Sequence, residues 1–498
     1  MKLRKISLLT LSLVMLGFYS CTDKPTVISG SFNRDVDFIL LSNPELAICH
    51  EDFLDTIFLD NQKSFELSLD LKEDRFFILR IPNLNPFLNN DIILPVQAGG
   101  KYHITFGKEK NYMVSGTNEE GIRKYQSLLT TKSIQWNTFN SDSLSREEII
   151  EKRKQEELEP FINLLEEKKI TPSFYTLIEN DRTCLYAYVS AWLYSWDVLR
   201  ILRNRDDNNY EAKMAEIVGS LTNFYDIYKP DDINMMKSPQ WKSYALFMYT
   251  NIYKQYLFNK VNKTNVEGLL SVEHMPFWFE QIKESFRGNA LEAALSLFLY
   301  EEGGLKGCGE SSIPYYDYFL EQFPESPYLK YIKNQMEETI SFYEEKLFDP
   351  SVHFVENRDS IDTFQELLAL FRGKRLYVDV WATWCGPCRI QFEYKDLLEP
   401  ILQRNDITPL YISIDYDDKQ KTTWEALIKS YNLRGYHFRA NKSFLEDINR
   451  IYAPDNNDPE GKKSFSIPWY LLIDEKGNIV HKKFKKPSEL VKDTLAIF

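Results

Sequence analysis

Cysteine, histidine and glycine are scarce in this sequence of 498 residues, which contains 6 cysteines, 6 histidines and 19 glycines. Cys49, Cys184 and Cys308 lie far apart from one another and from the other three cysteines. This spacing excludes the dense disulfide framework that stabilises small secreted domains. We therefore predict that these three residues are small, buried hydrophobic side chains.

The sequence also lacks an excess of positive charge. Its 60 lysines and arginines are outnumbered by 73 aspartates and glutamates, which gives a formal net charge of −13 at pH 7. A surface of this sign argues against general binding to nucleic acid. The one basic cluster, residues 481–486, follows a predicted hairpin and is typical of a solvated sheet edge.

The N-terminal apolar run, residues 6–17, is too short to span a bilayer comfortably. It follows a positively charged start, and the combination is typical of an export signal. A small residue directly before Cys21 resembles the end of a bacterial lipoprotein signal, residues 1–21, in which this cysteine becomes the lipidated first residue of the mature chain. Ordinary cleavage and an uncleaved anchor are the alternatives.

Three changes of pattern divide the chain, which is too long for a single core. Residues 22–117 contain short runs of alternating apolar residues between turns, which predict an all-β sandwich. Residues 118–350 have a helical period broken by proline and glycine, which predicts an all-α domain. Residues 351–498 alternate strand and helix patterns and predict an α/β domain.

Within the helical region we expect helices at 147–169, interrupted by Pro160, and at 185–204, 241–261, 277–302, 315–323 and 328–347. Tyr188, Trp192 and Trp196 recur at four-residue spacing. Such an aromatic stripe could bind a partner, but we predict that it belongs to the core.

The most informative stretch is residues 376–389, in which a run of β-forming residues leads into two cysteines three residues apart. We predict a buried strand to residue 381, a short turn, and a helix from Cys385 to about residue 403. Free amides at the start of a helix stabilise an anion, so Cys385 should be the nucleophilic thiolate. Cys388 lies one turn further along on the same side, where its sulfur can resolve a mixed disulfide formed at Cys385.

A base is needed to take the proton from a buried Cys388, and Asp379 lies on the preceding strand. In apolar surroundings its carboxyl group should have a raised pKa suited to that transfer. A zinc site would need two further ligands, and no second Cys-x-x-Cys or histidine pair accompanies this one, so we predict no metal. A purely structural disulfide would close too short a loop to stabilise the fold much.

Residues 381–389, Trp-Ala-Thr-Trp-Cys-Gly-Pro-Cys-Arg, resemble the thioredoxin superfamily, in particular its exported TlpA-like and ResA-like thiol-disulfide oxidoreductases. The resemblance implies a thioredoxin-like fold in which Asp379 takes the place of the buried acid. It also implies an active-site surround that includes a cis peptide bond facing the cysteines; this surround comprises Trp384, Gly386, Pro387, Ile467 and Pro468.

The C-terminal region departs from the family pattern at two positions. Glu393 stands where a proline usually bends the active-site helix, so we expect a straighter helix. Tyr411 stands where many thioredoxins place a lysine near the buried acid, which leaves that acid without a cation. We further predict that Ser360 caps a helix at 361–371, that His437 is structural, and that the polar loop 454–463 shapes substrate access.

The predicted function is that of a protein thiol-disulfide oxidoreductase, and the Gly386-Pro387 pair of thioredoxin favours reductase activity over oxidase activity. It would use no cofactor, act on disulfide-containing proteins and receive electrons from a membrane thiol reductant. Its expected location is the periplasm-facing outer or inner membrane of a Gram-negative bacterium. Some ResA-like proteins reduce apocytochrome cysteines, but the acidic residue that often accompanies their cysteines is absent here. The alternative is an envelope binding protein with a redox-sensitive docking domain.

Overall fold

The computed structural model describes residues 24–32, 36–81, 91–106, 112–128, 146–204, 208–254, 275–306, 309–345, 347–356, 358–452 and 466–491. Cys21, Cys308 and the loop 454–463 lie outside these residues. No helix within the described ranges is both long enough and apolar enough to cross a membrane. The chain divides into two compact units, Met1–Leu269 with Gln281–Ala293 and Leu270–Glu280 with Ala294–Phe498.

The first unit begins with two four-stranded sheets, as the alternating patterns predict. Their strands are β1 (Thr26–Phe32), β2 (Phe38–Ser42), β3 (Leu54–Phe58), β4 (Ser64–Leu69), β5 (Arg75–Arg80), β6 (Asp91–Val96), β7 (Lys101–Phe106) and β8 (Tyr112–Gly116). The strand orders are β4-β1-β7-β8 and β3-β2-β5-β6. Every second residue of β7 is buried, and side chains of both sheets belong to one apolar cluster. The prediction of an N-terminal sandwich is therefore confirmed.

Helices follow the sandwich, and the first three of them share its core. They are α1 (Glu119–Gln126), α2 (Arg146–Glu166), α3 (Pro172–Arg203), α4 (Tyr210–Ile227), α5 (Ile233–Met236) and the π-helical α6 (Lys242–Tyr253). Phe161, Phe174 and Ile178 pack in the same apolar cluster as the strands. Pro160 does not interrupt α2, which runs through it. Burial of Leu158 and Phe161 on either side stabilises this turn against the lost backbone hydrogen bond.

The aromatic stripe of α3 only partly meets its prediction. Tyr188 and Trp192 are half-buried, but Trp196 is 45% exposed, so its assignment to the core was wrong. Its ring rests on that of Trp192 with centroids 5.5 Å apart. A four-residue spacing advances 400° along an α-helix, so the stripe rotates out of the core over its length.

The next helices lead to the C-terminal region: α7 (Met275–Ser285), α8 (Gly288–Glu302), α9 (Ile313–Gln322) and α10 (Leu329–Glu345). The single helix predicted at 277–302 is in fact two. Gly288 has φ +54° at the break, a backbone conformation that glycine adopts without steric cost. A short 3₁₀ turn, Gly309–Ser312, precedes α9.

The C-terminal region contains one mixed sheet of six strands in the order β14-β13-β10-β11-β12-β9. Its strands are β9 (Val352–Phe354), β10 (Arg375–Trp381), β11 (Ile407–Ser413), β12 (Gly435–Arg439), β13 (Trp469–Ile473) and β14 (Ile479–His481), and its helices are α11 (Phe364–Ala369), α12 (Gly386–Phe392), α13 (Lys395–Arg404), α14 (Lys421–Ser430), α15 (Lys442–Tyr452) and α16 (Pro487–Leu490). The central strand β10 is parallel to β11 and antiparallel to β13. This order confirms the predicted thioredoxin-like α/β fold.

Alternation along β10 divides its side chains between two apolar layers. Val378 and Val380 pack with residues of α11 and α15 on one face. Trp381 packs with residues of α12 and α14 on the other face, and the period of two places Asp379 on that same face. The carboxyl group therefore lies on the side of the sheet that α12 covers.

Two local predictions in this region were wrong. The helix cap is Thr363 rather than Ser360: its hydroxyl accepts from the amide of Glu366, whose carboxylate accepts in return from the Thr363 amide. The helix after the cysteines is not straighter at Glu393 but ends there, and α13 begins at Lys395. A bend at this point therefore does not require proline.

Candidate active site at the start of α12

Cys385 is the residue that caps the N-terminus of α12. Its backbone is extended, with φ −84° and ψ 92°, and Pro387 provides the preset φ of the first turn. The sulfur of Cys385 accepts from the amide of Cys388 at 3.2 Å, and its carbonyl accepts from the amides of Cys388 and Arg389. Backbone donors at a helix N-terminus favour negative charge, so this position stabilises a thiolate.

The two cysteines are joined by a disulfide, and their Cα atoms are 5.3 Å apart. Cys385 is 4% exposed, whereas Cys388 is completely buried. Of the two sulfur atoms, that of Cys385 is therefore the one that another disulfide can approach. The spacing of three residues brings the pair together because both lie on one side of the first helical turn.

The predicted surround of the cysteines lies at the surface. Trp384 is 64% exposed, and Gly386 and Pro387 are exposed as well. The Ile467-Pro468 peptide bond is cis, and Ile467 packs against the apolar cluster that contains both cysteines. The sequence separates these two segments by about 80 residues, and the fold brings them to one site.

Asp379 is 2% exposed, and its burial raises the pKa of its carboxyl group well above the usual range. Tyr411 on β11 and Tyr470 on β13 flank it in the sheet register. Its Oδ1 atom has no hydrogen-bond partner within the described part of the chain. Because burial without a partner disfavours the charged form, the carboxyl group is suited to hold a proton near neutral pH.

His437 extends this row of side chains onto β12 but does not reach the cysteines. Its ring is stacked on Tyr411 with centroids 4.9 Å apart, and its Nε2 donates to the carbonyl of Leu433 at 2.8 Å. Burial lowers the pKa of His437 to about 3, although that hydrogen bond opposes the shift. The imidazole is neutral at physiological pH, as expected of a structural histidine.

A network that sequence reasoning missed holds the turn before Cys385. The carboxylate of Asp415 accepts from the amide and hydroxyl of Thr383, at 2.8 and 2.9 Å, and from the hydroxyl of Ser413 at 2.6 Å. The period of two along β11 could have shown that Ser413 and Asp415 share a face. The sequence gives no sign that Thr383, 32 residues away, would contact them.

A groove of about 530 Å³ opens beside the cysteines. Its lining is half apolar and half polar: Trp384, Ile414, Tyr416 and Leu445 are apolar or aromatic, and Asp417, Lys419, Gln420 and Asn449 are polar. A concave surface of mixed polarity that includes Trp384, the neighbour of Cys385 in sequence, can receive a polypeptide side chain. In the described part of the chain, no three His, Cys, Asp or Glu side chains are placed to hold a metal ion.

Comparison with known proteins places this site in a family. The chain is 33% identical over 75 residues to thioredoxin from Callithrix jacchus, covering 68% of that protein and 15% of this chain. The chain belongs to the thioredoxin superfamily. Residues 355–496 match the Redoxin family, and this range contains the C-terminal helices α11 to α16 and the strands β10 to β14, but not β9.

Another relative of this thioredoxin superfamily member matches a shorter part of it. It is 34% identical over 44 residues to the thiol-disulfide oxidoreductase ResA of Geobacillus thermodenitrificans (strain NG80-2), covering 9% of this chain and 25% of ResA. The chain thus spans about a quarter of the length of that relative.

Two solved structures from Bacteroides vulgatus each match about a quarter of this chain. One, assigned as a thiol-disulfide oxidoreductase, is 31% identical, with 24% of this chain and 70% of that chain covered and a TM-score of 0.19. The other is the thioredoxin domain of a thiol-disulfide oxidoreductase; it is 21% identical, with 25% and 79% covered and a TM-score of 0.21. The match to thioredoxin, rather than these two structures, confirms the predicted resemblance to this superfamily.

Proposed function

We propose that this protein is a thiol-disulfide oxidoreductase that acts on protein disulfides. The single observation that carries the proposal is the placement of Cys385 at the N-terminus of α12, with its sulfur 3.2 Å from the amide of Cys388. In the reduced protein, the thiolate of Cys385 attacks a substrate disulfide and forms a mixed disulfide, and one substrate sulfur leaves as a thiolate. The thiolate of Cys388 then attacks Cys385, which restores the enzyme disulfide and releases the reduced substrate.

Asp379 accounts for the proton of the second step. Cys388 is buried, and its thiol must lose a proton before it can attack. A carboxyl group whose pKa is raised by burial lies closer to the pKa of a thiol, and such a match favours proton transfer. Asp379 lies on the face of β10 that α12 covers, and the proposed proton acceptor is the ionised fraction of its carboxyl group, which the raised pKa keeps small near neutral pH and which then holds the proton firmly.

The direction of electron flow is proposed to be reduction of the substrate. Gly386-Pro387 is the pair found between the cysteines of thioredoxin, whose reduction potential is about −270 mV, compared with about −120 mV for the oxidant DsbA. Each catalytic cycle leaves this protein oxidised, so a membrane thiol reductant must supply two electrons. A measured potential near that of DsbA would reverse the proposed direction.

The proposed location is the cell envelope, with Cys21 as the lipid attachment site. This proposal has its support in the sequence of residues 1–21. Labelling of cells with a radioactive fatty acid tests it, because wild type should incorporate label and Cys21→Ala should not.

Insulin reduction by the full chain tests the activity. Wild type should accelerate it, and Cys385→Ser should not, because the attacking sulfur is gone. Cys388→Ser should instead accumulate a covalent mixed disulfide with its substrate, which mass spectrometry can identify. Equal rates for wild type and Cys385→Ser would refute the proposal and favour the alternative of a binding protein.

A further inference from the structure

The turn between β10 and α12 is tied to a buried carboxylate that the proposed chemistry does not use. Asp415 is 1% exposed, and Thr383 in the turn is 8% exposed. The two oxygen atoms of Asp415 accept three hydrogen bonds, two from Thr383 and one from Ser413. Burial raises the pKa of Asp415, although these hydrogen bonds oppose the shift. Removing a carboxylate from water costs free energy, so a buried one at this position suggests a structural or functional role.

Hydrogen bonds hold the backbone around Asp415, just after the C-terminal end of β11. The guanidinium of Arg439, itself 5% exposed, donates to the carbonyls of Asp415 and Asp417 at 3.1 and 3.0 Å. The amide of Ile414 donates to the carbonyl of Trp381 at 2.9 Å. These contacts hold Asp415 in place, and its side chain in turn positions Thr383.

Movement of Thr383 would reach the reactive sulfur directly. The amide of Cys385 donates to the carbonyl of Ala382 at 3.0 Å, which closes a hydrogen-bonded turn with Thr383 inside it. The same turn carries Trp384, which lines the groove beside the site. A displacement of a few tenths of an ångström would change the 3.2 Å contact between the Cys388 amide and the Cys385 sulfur.

We propose that Asp415 is a positioning residue that, through Thr383, fixes the turn carrying Trp384 and Cys385 and thereby stabilises the Cys385 thiolate. The proposal rests on the proposed nucleophilic role of Cys385. It gives a structural role to Thr383, in the motif of residues 381–389, and to the carboxylate of Asp415, which follows β11. Asp415 does not touch the reacting sulfur atoms, so its effect must appear as a change in the acidity of Cys385.

Two substitutions separate positioning from charge. Asp415→Ala removes all three hydrogen-bond acceptors. In Asp415→Asn, the amide oxygen can accept from the Thr383 amide and the Ser413 hydroxyl, while the amide nitrogen donates to the Thr383 hydroxyl oxygen. The asparagine variant therefore keeps the turn in place without the charge. Thr383→Val and Thr383→Ser form a second pair. The valine variant removes the hydroxyl donor, and the serine variant retains it.

The experiment measures the rate of alkylation of Cys385 by iodoacetamide against pH in the reduced full chain. We expect Asp415→Ala to raise the apparent pKa of Cys385 by about one unit, which for a thiol of pKa about 7, as in thioredoxin, lowers the thiolate fraction at pH 7 about fivefold. Thr383→Val should give a smaller shift in the same direction. Asp415→Asn and Thr383→Ser should stay within about threefold of wild type at pH 7. The equilibrium with dithiothreitol should move toward the disulfide form in Asp415→Ala, because the reduced form has lost a stabilising contact.

Asp474→Ala is the matched control, since this carboxylate also accepts backbone hydrogen bonds but lies in the exposed turn after β13. It should leave the alkylation profile unchanged. A wild-type profile in folded Asp415→Ala would overturn the proposal, and so would an equal shift in Asp415→Asn, which would indicate charge instead of position. If Asp415→Ala loses its native near-ultraviolet circular dichroism, the Thr383 variants decide. A raised apparent pKa of Cys385 in Thr383→Val but not in Thr383→Ser supports the proposal, and an unchanged pKa in Thr383→Val overturns it.

The wild-type profile tests the underlying role of Cys385 separately. If wild-type Cys385 is no more acidic than free cysteine, the proposed nucleophile and the role of Asp415 both fail. If wild-type Cys385 is acidic and the variants match it, only the role of Asp415 fails.

Discussion

The C-terminal sheet of the wild type should lose stability as the pH rises, and Asp379→Asn should remove this loss. In the folded protein, burial raises the pKa of Asp379, whereas in the unfolded chain the pKa of an aspartate is about 3.9. Below that pH both states hold the proton, and burial of the neutral carboxyl group carries no ionisation cost. Above it the unfolded chain releases the proton and the folded protein does not, so the stability of the fold falls with rising pH.

The size of the effect follows from this difference. Each pH unit between the unfolded and folded pKa values costs the folded protein about 1.4 kcal/mol, and the loss stops once the pH exceeds the folded value. Asparagine is neutral in both states and removes this dependence. It also buries an amide donor, at a cost of about 1–3 kcal/mol, but that cost does not change with pH. The slope of the difference between the two proteins, rather than its offset, therefore carries the test.

Hydrogen exchange of peptides from β10, followed by mass spectrometry on the reduced full chain at pH 5, 6 and 7, measures this slope. Variant and wild type are compared at equal pH, so the intrinsic change of exchange rate cancels. Asp396→Asn is the control, because its carboxylate is 82% exposed and its loss should change stability by less than about 0.5 kcal/mol at each pH. Parallel stability curves for Asp379→Asn and wild type would refute the argument that burial perturbs Asp379.

Three further outcomes are expected. Thr363→Ala should destabilise the start of α11 by about 1 kcal/mol in hydrogen exchange, whereas Ser360→Ala should have a smaller effect there, because Thr363 is the cap. As the pH falls from about 6.5, the unfolded pKa of histidine, to about 3, the folded pKa of His437, only the unfolded chain gains a proton at this residue, so wild-type β12 should lose about 1.4 kcal/mol of stability per pH unit. His437→Gln should abolish this loss. Cys49 and Cys184 should resist alkylation in the reduced folded protein at pH 8, while Cys385 reacts, because burial raises the pKa of Cys49 to about 12 and that of Cys184 as well.

The sequence predicted those parts of the site that depend on neighbours along the chain. Cys385 and Cys388 meet because three residues span one helical turn, and the apolar strand before them indicated the burial of Asp379. The resemblance to thioredoxins added the cis bond before Pro468, which no local pattern could have provided. The predicted domain boundaries at residues 117 and 350 remain a prediction.

Features that depend on distant packing could not be predicted. The contact between Thr383 and Asp415 exists because β10 and β11 pair in one particular register, and nothing in either segment specifies that register alone. The end of α12 at Phe392 was missed because Glu393 is compatible with a continuing helix. The surface position of Trp196 was missed because helical spacing shows which residues align but not where a neighbouring element ends.

Tyr411, which lies beside Asp379 in the sheet, bears on the proton transfer proposed for Asp379. Residues 379, 411 and 437 lie side by side on three adjacent strands, so any cation in this row would stabilise the Asp379 carboxylate. The row instead holds a tyrosine, whose own pKa is raised by burial, and a histidine whose pKa is lowered to about 3. Neither carries positive charge at neutral pH, and burial alone accounts for the raised pKa of Asp379. Opposite environments therefore serve the two halves of the proposed exchange: amide donors favour the anion at Cys385, while the apolar sheet favours the proton on Asp379.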